Sequence, residues 1–191
     1  MRRVVFHLGI SLDGYMEGPG RDISWHRVDE ELHQHMNDVL AGAGGFLEGR
    51  VTYELMAGHW PTADQKPEST PAEVGFARIW RDMPKVVYSR TLERVEDPKA
   101  TIARDVVADD VMALKEQPGG DLVVGGPHLA AEFLRQGLID EFRVYVHPVL
   151  IGEGTPMFLR PDVRMDLQLV ETRTFGNGVV LLRYERVTAP S

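Results

Sequence analysis

The hydrophobic positions of this chain fall into short apolar runs that alternate with four-residue repeats. Val4-Val5-Phe6-His7-Leu8 is apolar and partly β-branched and predicts a strand. Gly9 to Gly20 breaks the periodicity with four glycines and a proline, which predicts a loop long enough to be functional. Within it Asp13-Gly14 also fits an ordinary turn. Asp29 can cap a helix with Glu30 and Glu31 in its first turn, Leu32, Met36, Val39 and Leu40 as its buried stripe, and Gly42 or Gly44 as its stop. Phe46-Leu47 reads as a short buried strand that turns at Gly49-Arg50 into a helix with Val51, Leu55 and Met56 inward. Residues 58–72, polar with three prolines, predict a surface loop; the flanking segments are too short for it to be a domain linker. Thr70 and Glu73 have capping-box spacing around Pro71, and Phe76, Ile79, Trp80 and Met83 supply that helix's stripe up to Pro84.

Lys85–Tyr88 predicts the next strand. Ser89-Arg90-Thr91 follows it, a set of hydroxyls and a cation suited to an anion at the sheet edge where open α/β folds bind ligands. Thr101–Val107 reads as a strand, and Asp109 as the cap of a short helix carrying Val111 and Leu114. Asp121–Leu134 combines an apolar strand, the Gly125-Gly126 turn and a helix opened by Pro127, with Leu129, Ala130, Phe133 and Leu134 on one side and Gly137 as C-cap. Such a turn leaves backbone N–H groups and a positive helix end facing outward for phosphate, although a tight turn alone would need the same glycines. Arg50 and Thr52 could serve a phosphate in the same way, or be a solvated arginine and an ordinary helix threonine. Asp140–Ile151, Leu167–Thr174 and Val179–Val187 predict strands, the last two joined by a Gly176-Asn177-Gly178 hairpin turn. The pattern is α/β: a mixed, mostly parallel sheet flanked by helices, with antiparallel C-terminal strands, in one domain over residues 1–191.

Composition narrows the partners. Acids outnumber bases 29 to 21, for a net charge of −8, which repels phosphate backbones and anionic lipid; neither nucleic acid nor membrane is an expected partner. There is no cysteine, so disulfides and thiolate metal sites are excluded. His33 and His35 are two residues apart and do not face one another on a helix, so no metal site is expected. Arg2 and Arg3 precede an apolar run too short for a signal peptide or a span, and a cytoplasmic location is expected.

Four stretches in this order resemble the dihydrofolate reductase-like superfamily: Ser11-Leu12-Asp13-Gly14, Gly49-Arg50-Val51-Thr52-Tyr53-Glu54, Val86-Val87-Tyr88-Ser89-Arg90 and Val123-Val124-Gly125-Gly126. Gly137-Leu138-Ile139-Asp140-Glu141, with His147-Pro148-Val149-Leu150-Ile151-Gly152-Glu153-Gly154, is similar to the branch that includes the C-terminal reductase domain of bifunctional riboflavin-biosynthesis proteins. The resemblance implies a homodimeric reductase that takes hydride from NADPH, with 5-amino-6-(5-phosphoribosylamino)uracil as the small-molecule substrate. It implies Gly49, Arg50 and Thr52 along the cofactor phosphates, Ser89 and Arg90 at the adenosine 2′-phosphate, and Gly125 and Gly126 at the pyrophosphate. Ile10 and Ser11 would line the nicotinamide, and Asp13, in the loop over it, is the candidate catalytic residue. None of Asp29, Glu30 and Glu31 matches the carboxylate that protonates a pterin, and the aromatic residue expected near His33–His35 is missing. A dihydrofolate or pteridine reductase is therefore the second reading. A catalytically silent nucleotide-binding or assembly protein is a third.

Overall fold

Side chains that alternate between two packed faces need cover on both, and the central strands show this alternation. In β1 (Val4–Ser11), Val4, Phe6, Leu8 and Ile10 enter one core. In β3 (Gly45–Gly49), Leu47 joins that core while Phe46 enters a second one on the opposite face. The computed structural model describes residues 1–159 and 163–187. Between and after these strands come β2 (Tyr15–Glu17), α1 (Glu30–Ala41), α2 (Arg50–His59), α3 (Pro71–Asp82), β4 (Lys85–Tyr88) and β5 (Ala100–Ala103). The chain continues through α4 (Ala108–Glu116), β6 (Leu122–Gly125), α5 (Pro127–Arg135), β7 (Glu141–His147), β8 (Thr155–Pro156), β9 (Leu167–Thr174) and β10 (Val180–Arg186).

Eight strands form one sheet in the order β5-β4-β3-β6-β1-β7-β10-β9, parallel from β5 to β7 and antiparallel across β7, β10 and β9. This is the mixed, mostly parallel sheet that the pattern predicts. The two cores place α4 and α5 on one face and α1, α2 and α3 on the other. At β3 and β6, which are neighbours, the chain leaves toward opposite faces. That is the switch point at which open α/β sheets form a crevice outside the strand ends.

Local chemistry explains where the elements begin. Asp29 accepts the Leu32 N–H, and Thr70 and Glu73 form the reciprocal capping box. Gly137, at φ 67°, lets the chain turn after α5. Several boundaries differ from the pattern. Residues 58–72 contain the end of α2 and a 3-10 turn at Trp60–Gln65, in which Ala63 is buried. The strand predicted over Thr101–Val107 is only Ala100–Ala103, and α4 begins after Val107 with no side-chain cap; Asp109 lies in its first turn. The strand predicted to reach Ile151 stops at His147, where Pro148 removes a ladder donor. The loop after Leu8 is shorter than its glycines suggest, since β1 runs on to Ser11 and β2 pairs with β8. In α2, Met56 packs against the second core as predicted, but Leu55 is 61% exposed and Tyr53, outside the predicted stripe, is buried.

Candidate functional site

A cleft of about 790 Å³ lies outside the carboxyl ends of β3, β4 and β6. The N-termini of α2 and α5 open onto it from opposite faces of the sheet. Neither helix has a side-chain cap, and neither has an acid in its first turn. Each of the other three helices has a side-chain cap, first-turn acids or both. The free N–H groups and positive ends of α2 and α5 are thus left to an anion from outside.

Gly126 joins β6 to α5 at φ 91° and ψ 140°, a region open essentially to glycine alone. A Cβ built there would lie 2.5 Å from the Thr52 hydroxyl, so the glycine also lets the two helix ends approach. Five arginines line the cleft (Arg21, Arg50, Arg90, Arg104 and Arg135) against three carboxylates, Glu17, Asp105 and Glu132. Five minus three leaves the cleft positive in a chain whose net charge is −8. Such a local field draws anions into a molecule that otherwise repels them.

The arginines are oriented by neighbours. Arg50 pairs with Glu54 at 2.8 Å, one helical turn on. Arg90 is 82% exposed along its side chain and donates its Nε–H to Asp105 at 2.7 Å. Arg104 donates to the Ser89 and Leu92 carbonyls at 3.0 and 2.6 Å, holding the turn after β4. The Ser89 oxygen accepts the Leu92 N–H at 2.9 Å and keeps its own proton for donation.

The structure brings Gly49, Arg50, Thr52, Ser89, Arg90, Gly125 and Gly126 together around this cleft. It does not bring Ile10, Ser11 or Asp13 to the cleft wall. Ile10 belongs to the core under α5. Ser11 is fully buried; its hydroxyl accepts the Tyr15 N–H and donates to the Asp13 carboxylate. Asp13 also accepts the Gly152 N–H at 2.8 Å and the Ile151 N–H at 3.2 Å. The Ser11 hydroxyl and these amides hold its carboxyl below the usual range. Asp13 thus fastens the loop after β1 to the segment before β8.

Arg21, Arg104 and His128 line the cleft and were not singled out from the sequence. Arg104 had a usable signal, an arginine just past a strand end. Glu48 was also missed. It is 4% exposed, one Oε has no hydrogen-bond partner, and its Cγ lies 3.9 Å from where a Gly125 Cβ would be. Burial, only partly offset by Lys85, pushes its carboxyl up to about 7.

A family model of the RibD C-terminal domain matches residues 2–181. The chain belongs to this family. An uncharacterized Bacillus subtilis (strain 168) protein, YyaP, is 34% identical to this chain over 184 residues, 96% of this chain and 94% of that one. Among solved structures, a Shewanella sp. PV-4 protein provisionally named for riboflavin biosynthesis aligns with TM-score 0.74 at 20% identity, over 98% of this chain and all of that one. A Thermotoga maritima diaminohydroxyphosphoribosylaminopyrimidine deaminase/5-amino-6-(5-phosphoribosylamino)uracil reductase aligns with TM-score 0.66 at 16% identity, over 97% of this chain and 57% of the larger protein. These structures share the fold of this RibD-type chain. Among its described residues no helix is long and apolar enough to cross a membrane.

Proposed function

We propose that this chain is an NADPH-dependent reductase acting on a small heterocycle of the aminopyrimidine type, most like 5-amino-6-(5-phosphoribosylamino)uracil. The observation that carries the reading is the convergence of two uncapped, acid-free helix N-termini on one positive cleft around Gly126. Two such ends suit a ligand with more than one phosphate. NADPH, when bound, would supply the hydride. The backbone at Gly126 and the α5 N-terminus would take the pyrophosphate, Thr52 with the α2 N-terminus the adjoining phosphate oxygens, and Ser89 and Arg90 the 2′-phosphate.

The family supports reductase chemistry, and what α1 lacks weighs against a pterin substrate. Asp29 caps α1, Glu30 accepts the Ala72 N–H at 3.0 Å, and Glu31 accepts the Gly176 N–H at 3.1 Å. Each first-turn carboxylate is committed to structure, which disfavours the dihydrofolate reading. NADPH oxidation against a panel of aminopyrimidine and pteridine substrates tests this directly. Turnover of a pteridine alone would overturn the assignment, and cofactor binding without any turnover would favour the silent nucleotide-binding reading.

Arg90→Ala is expected to weaken NADPH roughly tenfold and leave NADH nearly unchanged, because a charge-assisted hydrogen bond to one extra phosphate is worth about 1.5 kcal/mol at an exposed position. Fluorescence titration with both cofactors checks it; equal losses would make Arg90 a structural partner of Asp105 only.

A homodimer is part of the proposal. Every residue of β9 is exposed at the sheet edge, including Leu169 and Val170 at 48% and 41%, and such an edge invites pairing or cover. Sedimentation is expected to show a dimer at micromolar concentration, and a monomer there would reject it.

A further inference from the structure

A second cleft, of about 290 Å³, lies between the later turns of α1 and strands β7, β10 and β9, and shares no lining residue with the first. Val39 and Leu181 form apolar walls, and Glu171 and Arg183 stand on the β9–β10 side. Tyr145 of β7 lines it and is fully buried, yet its hydroxyl has no hydrogen-bond partner. A buried hydroxyl left unsatisfied calls for an explanation, and a ligand group is one.

The other polar groups point to what that ligand would be. The Nε2 of His35 is also buried and without a partner. A terminal nitrogen of Arg173 lies 3.1 Å from His35 Nδ1. A guanidinium can only donate, so Nδ1 accepts and the proton of the neutral ring sits on Nε2. Burial, and then the charge of Arg173, hold this imidazole below its usual pKa, so it stays neutral. Burial likewise raises the Tyr145 phenol, which stays protonated. His7, whose ring centroid is 5.0 Å from that of Tyr145, is pushed by burial to about 3 and is also uncharged.

The charges come from the strands. Arg143 and Arg183 both donate to Glu141, whose side chain is fully buried beneath them. Arg143 spends its Nε–H there and keeps its terminal N–H groups, while Arg183 divides its groups among Glu141, Glu171 and Glu185. Glu171 is the one carboxylate on the lining, and it faces Arg183 at 3.5 Å. Apart from the second oxygen of Glu171, the unpartnered polar groups on the lining can each donate: the Tyr145 O–H, the His35 Nε2–H and the Arg143 terminal N–H. We propose that this cleft is a second ligand site, selective for a small molecule bearing an oxyanion (a carboxylate or phosphate) held by Arg143, Tyr145 and His35.

Both clefts would attract oxyanions, so the test needs a readout confined to this one. Inorganic phosphate and malonate, titrated separately at constant ionic strength, should each be followed through the His35 imidazole NMR signals, assigned with His35→Gln. A saturable shift with either is expected, and the tighter of the two identifies the source. Tyr145→Phe removes only the unpartnered hydroxyl, so its melting temperature should equal or exceed wild type while its oxyanion affinity falls roughly tenfold. Glu171→Gln, which removes the lining's own negative charge, should tighten binding. His35 signals that do not move, that move equally with chloride, or that titrate identically in Tyr145→Phe would overturn the proposal.

Discussion

Gly126→Ala should lose nearly all dinucleotide affinity and melt well below wild type. At φ 91° and ψ 140° an alanine is strained, at a cost of about 1–3 kcal/mol. Its Cβ would also meet the Thr52 hydroxyl at 2.5 Å. Either Thr52 moves, and with it the first turn of α2, or the α5 N-terminus does; both are surfaces proposed to hold phosphate. Ligand at about 100 times its Kd stabilises a protein by about 2.7 kcal/mol, so wild type should show a clear rise in melting temperature with NADPH. The variant should show almost none. If it melts low yet keeps the wild-type shift, Gly126 is only a turn residue and the phosphates lie elsewhere.

Glu48→Gln should stabilise the protein above neutral pH. The folded-state pKa of Glu48, about 7, lies above its unfolded value near 4.5. Its contribution to stability is therefore fully present below the unfolded value and is lost as pH rises through about 7. Those 2.5 units correspond to about 3 kcal/mol at pH 8, which the glutamine does not incur. His7 and His147 act in the opposite sense. Burial depresses them to about 3 and about 4, so they weaken the fold as pH falls below about 6.5. In Glu48→Gln that acid-side loss should become steeper. Urea unfolding at pH 5 and pH 8 decides the matter: an equal difference between wild type and variant at both would mean that Glu48 is not the group that titrates.

What the sequence made legible follows from how local each cause is. Asp29, Thr70 with Glu73, and the 176–178 turn act within a few residues, and all three could be placed without a structure. The mostly parallel sheet and its antiparallel C-terminal strands came from the alternation of elements and from the resemblance. The strand order, with β1 between β6 and β7, rests instead on long-range pairing that no local pattern encodes. The missed features depend on distant chain. A glutamate reads as exposed, and only the packing of β3 between β4 and β6 with α2 across it buries Glu48. Asp13 reads as a free loop carboxylate until Ile151 and Gly152 are seen to hold it. Leu55 and Tyr53 exchange roles because α2 docks by its tyrosine face on Trp80 and then opens toward the cleft. Tyr145 gave no signal and His35 was weighed only as a metal ligand, since an unpartnered atom is visible only once its neighbours are known.

The position of β1 carries a consequence for assembly. It is an early segment of the chain, yet it lies between β6 and β7, with Val5 opposite Val123 on one side and Glu141 on the other. Synthesis from the N-terminus therefore delivers the middle of the sheet first and both of its neighbours more than a hundred residues later. Until they emerge, an apolar strand with two open edges must be kept from pairing with other chains. Late, long-range closure of this kind folds slowly and passes through sticky intermediates. The same topology places the cleft's two halves, Gly49-Arg50 and Gly125-Gly126, on either side of that closing event, so ligand-binding competence and completion of the sheet arrive together.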